Sequence, residues 1–312
     1  MNDVNRLAII GPTASGKSSV ALELCRRVGG AEIVSIDAMQ VYRGMNIGTA
    51  TPSAAERAEV RHHLIDVVEP TAEFTLAQFQ TLYNEALADI DRRSGRAVLV
   101  GGTGLYLRAV TDGLTPPGQW PGSRATVRAR LENEAVAVGP EVLHARLAER
   151  DPLAASRMEP TNVRRIVRAL EVVEGSGRPF SAFGPGFESY VESDVIQVGV
   201  RWPRAVLARR IEERVHSMIE AGWVEEVTEL LAATGSVPLS RTAAQALGYK
   251  ELIEHVQGRI SLAAAVDTIV LRTRQFAVRQ ERWFRRDPRI QWFDVESDPV
   301  AELTPRLIQY VA

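Results

Sequence analysis

The segment that most constrains this chain is a glycine-bounded loop near its start, GPTASGKS at residues 11–18. An apolar run, Leu7 to Ile10, precedes the loop, and an amphipathic helical pattern follows it. This is the G-x-x-x-x-G-K-[ST] spacing of a phosphate-binding P-loop in its strand–loop–helix context. Gly11 and Gly16 permit backbone conformations closed to residues with a Cβ, so successive N–H groups can turn inward around an anion. The loop predicts a bound phosphate or diphosphate, but it does not show that the phosphate belongs to a nucleotide.

Each member of this loop is a candidate ligand for the anion. Lys17 brings a full charge, the helix that begins near it adds its positive dipole end, and the Ser18 hydroxyl can reach Mg²⁺. We therefore predict Mg²⁺ as the cofactor with Ser18 as its protein ligand. The alternative is an ordinary glycine turn between a strand and a helix. The predicted diphosphate site consists of Gly11, Pro12, Thr13, Ala14, Ser15, Gly16, Lys17 and Ser18.

The bulk properties restrict where the protein acts and how it meets a partner. The chain of 312 residues has neither an apolar run of membrane-spanning length nor a basic-then-apolar leader, so we expect no membrane span and no secretion signal. The net charge of −2 means that a nucleic acid must be recognised by local basic patches. The single Cys25 excludes an internal disulfide and a cysteine-cluster zinc site, which fits a reducing cytoplasm.

Further apolar runs alternate with helical patterns along the first third of the chain. One run, Glu32 to Ile36, ends at Asp37, and another, Ala97 to Val100, ends in the glycine turn GGTGLYL at residues 101–107. The alternation predicts an α/β fold, a P-loop NTPase-like parallel sheet flanked by helices. Because ligands of such sheets bind outside the carboxyl ends of the strands, Asp37 is expected in the same crevice as the P-loop. A strand-ending aspartate also serves as a helix N-cap or a Mg²⁺ partner, and both remain open.

A change of composition near Pro116 and Pro117 marks a second region in which helical patterns replace strands. Helices are predicted over residues 124–136, 140–150 and 162–174, with Gly175 ending the last of them. We therefore predict an inserted small helical domain at residues 116–190. Residues 1–115 and 191–312 form the P-loop core domain in this interpretation.

Two arginine features of the second half have both structural and functional interpretations. Arg214 lies within about 50° of the centre of an apolar helical stripe, so its charge must be paired or functional. Residues 272–289 contain seven arginines and two acidic residues interleaved with aromatics, which suits an RNA backbone but also a solvated helix face. Within this stripe Arg272, Arg279 and Arg282 are the candidate RNA contacts.

An ordered set of segments resembles the bacterial tRNA dimethylallyltransferase family over nearly the whole chain. The most discriminating blocks are SIDAMQVYRGMNIGTATP at 35–52 and RTRQFAVRQERWFR at 272–285. The other matching segments are GPTASGKS (11–18), HHLID (62–66), GGTGLYL (101–107), NVRRIVRALEV (162–172), RIEERVHSMIEAG (210–222) and QALGYKE (245–251).

The resemblance implies a reaction and assigns residues to it. The family transfers the prenyl group of dimethylallyl diphosphate to the exocyclic 6-amino group of the adenine just 3′ of the anticodon. Asp37 then corresponds to the general base and Arg214 to the catalytic arginine that stabilises the departing diphosphate. Thr13 and Lys17, with Ser18 and Mg²⁺, would neutralise the same leaving group. We expect a monomer.

The resemblance also implies a tRNA surface that receives an adenine extruded from its stack. Two positions depart from the family pattern: most members have serine where this chain has Ala38, and lysine where it has Thr51. Without a hydroxyl, Ala38 lacks one possible RNA contact. The implied contacts to the anticodon stem-loop are Asp37, Ala38, Met39, Gln40, Thr103, Arg128, Arg164, Arg165, Ile166, Val167, Arg168, Gln245, Ala246, Leu247, Gly248, Tyr249 and Lys250.

Two other functions use the same motifs. A small-molecule or nucleotide kinase would account for Lys17, Ser18 and Asp37, but not for the arginine-rich segment 272–286. A non-catalytic RNA-binding protein with a nucleotide switch would account for the arginines, but it would not need Asp37 or Arg214. ATP turnover without RNA separates the first alternative from the prenyltransferase, and an Asp37→Ala strain that keeps full tRNA modification would favour the second.

Overall fold

A computed structural model describes residues 6–114, 124–183 and 189–311 of the chain. The strands are β1 (Arg6–Ile10), β2 (Ala31–Ser35), β3 (His62–His63), β4 (Arg96–Gly101), β5 (Val195–Arg201) and β6 (Gln291–Asp294). The helices are α1 (Lys17–Val28), α2 (Ala54–Glu59), α3 (Leu76–Arg92), α4 (Gly104–Thr111), α5 (Arg124–Val138), α6 (Pro140–Arg150), α7 (Pro152–Ser156), α8 (Val163–Ser176), α9 (Arg204–Glu220), α10 (Trp223–Thr234), α11 (Tyr249–Val256), α12 (Leu262–Phe284) and α13 (Pro299–Leu307).

The six strands form one sheet in the order β3-β2-β4-β1-β5-β6, and every neighbouring pair is parallel. In the centre, Ile10 lies opposite Gly101 of β4 on one side and Gly199 of β5 on the other. Parallel strands need crossover connections, and helices supply them on both faces. The predicted α/β fold with a parallel sheet flanked by helices is therefore confirmed.

Successive residues of β1 point to opposite faces of the sheet and belong to two separate cores. Leu7 and Ile9 pack with α1 and α13, whereas Ala8 and Ile10 pack with α3, α10 and α12. All four side chains are fully buried. Burial on both faces accounts for the unbroken apolar run that predicts β1, because a strand covered on both sides shows no polar alternation.

Three functional segments leave the carboxyl edge of this sheet side by side. The P-loop follows β1, the loop at 36–50 follows β2, and the glycine turn at 101–103 follows β4. A Cβ on Gly101 would come within 2.4 Å of the Ile36 carbonyl oxygen, so only glycine allows this approach of β4 to the end of β2. The strand order therefore brings together motifs that are 90 residues apart, as predicted for this edge.

The structure corrects the predicted end of α8. The helix continues through Gly175 to Ser176 and ends at Gly177, which has φ +68° and donates its N–H to the Val173 carbonyl. A glycine within a helix costs only about 1 kcal/mol, whereas the residue that ends a helix must adopt the left-handed conformation. Gly177 meets that requirement, so it and not Gly175 is the helix terminator.

The chain folds as two compact units, residues 1–112 with 191–312 and residues 113–190. The smaller unit has its own core, in which Leu131, Leu147, Ile166 and Leu170 are fully buried. The predicted composition change at 116–122 and part of the predicted loop at 176–189 lie outside the described residues. Among the helices that are described, none has the length and apolar character needed to cross a membrane.

Candidate active site

The P-loop has the backbone geometry of an anion-binding nest. Ala14 and Gly16 adopt φ +62° and +87°, which turns the chain sharply before α1 begins at Lys17. Within the described part of the chain, the N–H groups of Ala14, Gly16, Lys17 and Ser18 make no hydrogen bond. Four donors at a helix N-terminus are thus available to one anion.

Two side chains hold the outward-facing carbonyls of this loop. The Trp202 indole N–H donates to the Ser15 carbonyl at 2.9 Å, and Arg210 Nε donates to the Ala14 carbonyl at 3.0 Å. The Arg210 guanidinium also lies 4.4 Å from the centroid of the Trp202 ring, a cation–π contact. These bonds orient the strained Ala14 peptide so that the neighbouring N–H groups remain on the opposite side.

Lys17 lies within the loop and is poised to pair with an anion. Its Nζ donates to the Pro12 carbonyl at 3.2 Å, and the side chain has no carboxylate partner among the described residues. The pKa of Lys17 is lowered from its ordinary 10.5 to about 8, first by burial and then by the Arg214 charge, while Asp37 acts in the opposite direction. A bound diphosphate would offset the effects of burial and of Arg214 on the pKa of Lys17, because it supplies negative charge beside the ammonium group.

Arg214 projects from α9 towards the same point. The half-buried guanidinium makes no hydrogen bond and no ion pair with any residue that the structure describes. Burial lowers the pKa of Arg214, Asp37 raises it, and Arg210, one helical turn earlier, lowers it. A guanidinium so placed without a partner is costly unless a ligand supplies the charge. The arrangement therefore favours an anion between Lys17 and Arg214.

Asp37 begins the loop that follows β2 and is held by local backbone bonds. Its Oδ1 accepts the Met39 N–H at 2.9 Å, and the next residue, Ala38, donates its N–H to the Thr103 hydroxyl at 3.1 Å. The second carboxylate oxygen has no hydrogen-bond partner within the described segments. Asp37 is thus oriented, close enough to Lys17 and Arg214 to affect both pKa values, and available to accept a proton.

Gln40 fixes the rest of this loop. Its Oε1 accepts from the Ser35 hydroxyl at 2.8 Å, and its Nε2 donates to the Ala50 carbonyl at 3.0 Å. Thr51, at one of the two positions that depart from the family pattern, shares a 2.8 Å hydroxyl hydrogen bond with Thr49. The amide of Gln40 is therefore committed to internal bonds and holds the two ends of the loop together.

A second support lies behind the loop at Trp223 and Glu226 of α10. The Glu226 carboxylate accepts the N–H groups of Asn46 at 2.8 Å and Ile47 at 2.7 Å, and the Tyr249 hydroxyl at 2.7 Å. A Cβ on Gly48 would approach the indole of Trp223 to 2.4 Å. The segments 46–48 and 248–249, far apart in sequence, thus share one anchor on α10.

The candidate tRNA contacts of the larger unit divide into exposed and buried side chains. Gln245, Lys250, Arg279 and Arg282 are exposed, whereas Arg272 is ion-paired with the buried Glu251. Ala246, Gly248 and Tyr249 are buried and present no side chain at the surface, so their assignment as tRNA contacts stays a prediction.

A similar division applies to the candidate contacts of the smaller unit. Arg164 and Arg165 are exposed on α8. Ile166 and Val167 are buried at 0% and 2% exposure and pack in the core of the smaller unit, so their assignment as tRNA contacts stays a prediction. Arg128 and Arg168 both pair with the buried Glu171, at 2.6 and 3.1 Å, which gives them a structural function in this unit.

The described residues hold no cluster of three or more His, Cys, Asp or Glu side chains that could bind a metal alone. The Ser18 hydroxyl is exposed at the start of α1, and the Asp37 carboxylate belongs to the neighbouring loop. Mg²⁺ usually binds one or two protein oxygens together with substrate phosphates and water. The residues present fit such a shared site, in which the diphosphate supplies most of the ligands.

Four site residues were missed from the sequence: Trp202, Arg210, Glu226 and Gln280. Arg210 and Gln280 lie inside two of the segments that resemble the family. The spacing of residues in those segments does not reveal which loops the two side chains contact. A glutamine among arginines on a helix is typical of a solvated face. Only the hydrogen bonds of the folded chain show that Gln280 faces the P-loop.

Comparisons with known proteins identify the family. The family model described as IPP transferase matches residues 40–287. A tRNA dimethylallyltransferase of Geobacter metallireducens is 50% identical, over 93% of this chain and 92% of that protein. One from a Nocardioides species is 46% identical, over 98% and 95%.

Solved structures agree with these sequence matches. The tRNA isopentenylpyrophosphate transferase of Bacillus halodurans is similar with a TM-score of 0.68 and 35% identity, covering 99% of this chain and 97% of that one. A eukaryotic dimethylallyltransferase that acts on tRNA shares the fold, with a TM-score of 0.79 at 24% identity, over 97% of this chain and 77% of that one. The resemblance drawn from the sequence is confirmed, and the chain belongs to the IPP transferase family.

Proposed function

We propose that the protein transfers the dimethylallyl group of dimethylallyl diphosphate to the exocyclic 6-amino group of the adenine 3′ of the anticodon in tRNA. The amine nitrogen forms a bond to C1 of the prenyl group while the C1–O bond breaks. The diphosphate leaves with the bonding electron pair, and the proton of the amine passes to the enzyme. The products are isopentenyladenosine in tRNA and diphosphate.

The observation that carries this proposal is the half-buried Arg214 guanidinium, which has no partner among the described residues. It lies beside Lys17 and the four P-loop N–H groups that make no hydrogen bond in the same part of the chain. Negative charge grows on the diphosphate as the C1–O bond breaks. Donors oriented in advance towards that charge stabilise the transition state more than the ground state. Lys17 and Arg214 are therefore the electrostatic catalysts, and residues 11–18 bind the leaving group.

Asp37 is the proposed general base. Its Oδ1 is held by the Met39 N–H, and its other oxygen is available to the adenine amine. Proton removal at the amine matters only once the N–C bond has begun to form, because the neutral exocyclic amine is a very weak acid until its nitrogen gains positive charge. A fixed carboxylate next to the attacking nitrogen accepts the proton without solvent reorganisation. The half-buried Thr13 has a hydroxyl without a hydrogen bond among the described residues and completes the leaving-group site.

Mg²⁺ would be held by the Ser18 hydroxyl together with oxygens of the bound diphosphate. When bound, it would neutralise diphosphate charge and so act as an electrostatic catalyst. The chain itself contributes two cations and four N–H donors to the same task.

We propose that residues 116–190 act as a helical insertion domain that contacts the anticodon stem-loop, and that 1–115 with 191–312 form the core domain. Exposed, unpaired arginines on both parts suit phosphate contacts. A cytoplasmic monomer is the simplest form in which one chain brings both surfaces to one tRNA. The proposed contacts with available side chains are Asp37, Met39, Thr103, Arg164, Arg165, Gln245, Leu247, Lys250, Arg279 and Arg282.

The test is transfer of label from radiolabelled dimethylallyl diphosphate to unmodified tRNA in the presence of Mg²⁺. We expect label at the adenine 3′ of the anticodon with the wild-type protein. We expect Arg214→Gln to reduce kcat by about 10²–10³, the usual cost of removing one preorganised oxyanion donor. Arg209→Gln removes an exposed arginine from the same helix and serves as the control. Turnover of ATP without RNA, with no label in tRNA, would refute the proposal.

A further inference from the structure

Gln280 of α12 bonds to both of the glycine turns that border the proposed diphosphate site. Its Oε1 accepts the Thr13 N–H of the P-loop at 2.9 Å, and its Nε2 donates to the Gly102 carbonyl of the turn after β4 at 2.9 Å. The side chain is 7% exposed, so neither bond competes with bulk water. One amide thus connects the ends of the two central strands, β1 and β4.

The orientation of this amide follows from its partners. A backbone N–H can only donate and a carbonyl can only accept, so the oxygen must face Thr13 and the nitrogen must face Gly102. A Cβ on Gly102 would come within 2.3 Å of the Gln280 Nε2, which shows how closely the turn packs on the amide. A carboxylate lacks the donor for Gly102, and an aliphatic side chain lacks both groups, so glutamine matches this position chemically.

The contacts continue from Gln280 to the proposed general base. Gly102 precedes Thr103, whose hydroxyl accepts the N–H of Ala38, and Ala38 follows Asp37 directly. The bond to Thr13 also removes one N–H from the inner surface of the P-loop, which leaves the later N–H groups as the anion donors. Gln280 therefore fixes the P-loop relative to the turn that supports the Asp37 loop.

We infer that Gln280 is a positioning residue that holds the P-loop in its diphosphate-binding conformation and at a fixed distance from the Asp37 loop. The inference rests on the proposed function, because it takes the P-loop ligand to be the diphosphate of the prenyl donor. Gln280 touches neither the donor nor the adenine and acts through Thr13 and Gly102. Its loss should weaken donor binding and transfer, while the exposed arginine face of α12 continues to bind tRNA.

The experiment compares Gln280→Met, which keeps the side-chain length without its polar groups, with Gln280→Glu, which keeps the acceptor and adds a negative charge. Gln257→Glu, at an exposed position after α11, controls for the charge alone. Binding of inorganic pyrophosphate is measured by calorimetry and binding of an unmodified anticodon stem-loop by fluorescence anisotropy. Steady-state transfer gives the KM of the donor and of the tRNA separately.

We expect the pyrophosphate Kd and the donor KM to rise about 10-fold in Gln280→Met, the usual effect of losing a buried hydrogen-bonding group, and further in Gln280→Glu. The stem-loop Kd should stay within about twofold of wild type, because most of its proposed contacts are exposed side chains to which Gln280 makes no bond. Gln257→Glu should match wild type in both assays.

Two results would overturn the inference: pyrophosphate binding by Gln280→Met within about twofold of wild type, or equal losses of pyrophosphate and stem-loop affinity, which would indicate a general folding defect. Failure of the proposed function is distinguishable. In that case the wild-type protein binds pyrophosphate but transfers no label to tRNA, and the pyrophosphate assay still tests Gln280.

Discussion

Two cations, Lys17 and Arg214, lie near a single carboxylate, Asp37, at the carboxyl edge of the sheet. The positive charges repel each other and are partly withdrawn from water, which makes the empty site unfavourable. A diphosphate relieves both effects at once. The residues of the site are thus arranged for a ligand that carries more negative charge than Asp37 alone supplies.

The protonation of Lys17 should set the alkaline limit of donor use. Its pKa of about 8 in the free protein lies below the ordinary value of 10.5, and only the protonated form attracts the diphosphate. kcat/KM for the donor should therefore be constant below pH about 8 and decrease above it. kcat should decrease only at a higher pH than kcat/KM does, because bound diphosphate raises the pKa of Lys17. Rates from pH 6 to 10 at saturating tRNA measure both curves.

Lys17→Arg provides the matched variant for this prediction. A guanidinium stays charged throughout the range, so the variant should lose the alkaline limb near pH 8 even if its overall rate is lower. An unchanged limb in Lys17→Arg would assign the titration to another group and contradict this function of Lys17.

Among single residues of the site, the sequence predicts those whose position follows from the spacing of their neighbours in the chain. The P-loop residues and Asp37 follow from a glycine spacing and from the end of an apolar strand. Ile166 and Val167 lie at helical spacing from other apolar residues of α8, and this periodicity accounts for their burial. The family resemblance of segment 162–172 gives no sign of it. Gln280 was not predictable, because its partners Thr13 and Gly102 are distant in sequence.

At the scale of elements, α9, α10 and α12 act as supports for loops that leave the sheet. α9 holds the P-loop carbonyls through Arg210, α10 holds the loop at 46–48 through Glu226, and α12 contributes Gln280. Each support is a side chain bonded to backbone groups that no strand or helix satisfies. Such bonds are required where loops are buried, since unpaired backbone groups are costly.

Glu226 allows a test of this support. Glu226→Gln keeps the size of the side chain but replaces charge-assisted hydrogen bonds from Asn46 and Ile47 with weaker ones. We expect the free energy of unfolding to fall by about 2 kcal/mol in urea titrations. Glu225→Gln, at the exposed neighbouring position, should change it by less than about 0.5 kcal/mol. A loss of less than about 0.5 kcal/mol in Glu226→Gln would show that the anchor contributes little stability.

The elements themselves were predictable to different degrees. Strand β1 and helix α3 follow from apolar runs and helical spacing because their apolar residues face the core. The end of α8 was predicted wrongly, since two glycines lie close together and only the left-handed backbone of Gly177 distinguishes the terminator. A conformation of this kind depends on the whole helix end and not on residue type alone.

At the scale of the whole molecule, the chain consists of a sheet-based unit with the candidate active site and a helical unit at residues 113–190 with its own core. Separate cores allow the helical unit to be altered without changing the P-loop. This division permits tRNA binding and donor binding to be measured independently in one protein.

The double variant Arg164→Gln with Arg165→Gln should weaken tRNA binding and leave pyrophosphate binding unchanged. Each phosphate contact contributes about one unit to the slope of log affinity against log salt, so the slope should decrease by about two. Arg26→Gln with Arg27→Gln removes an adjacent pair from α1 and is the control. An unchanged slope in the first variant would exclude these arginines from the RNA interface.

The measurement that tests the central claim most directly is single-turnover prenyl transfer by Asp37→Asn with saturating donor and tRNA. Asparagine keeps an oxygen to accept the Met39 N–H but cannot take the proton of the amine. We expect both substrates to bind and the transfer rate to fall by at least about 10²-fold, the typical contribution of a general base. Transfer at the wild-type rate would contradict the assignment of Asp37 as the base.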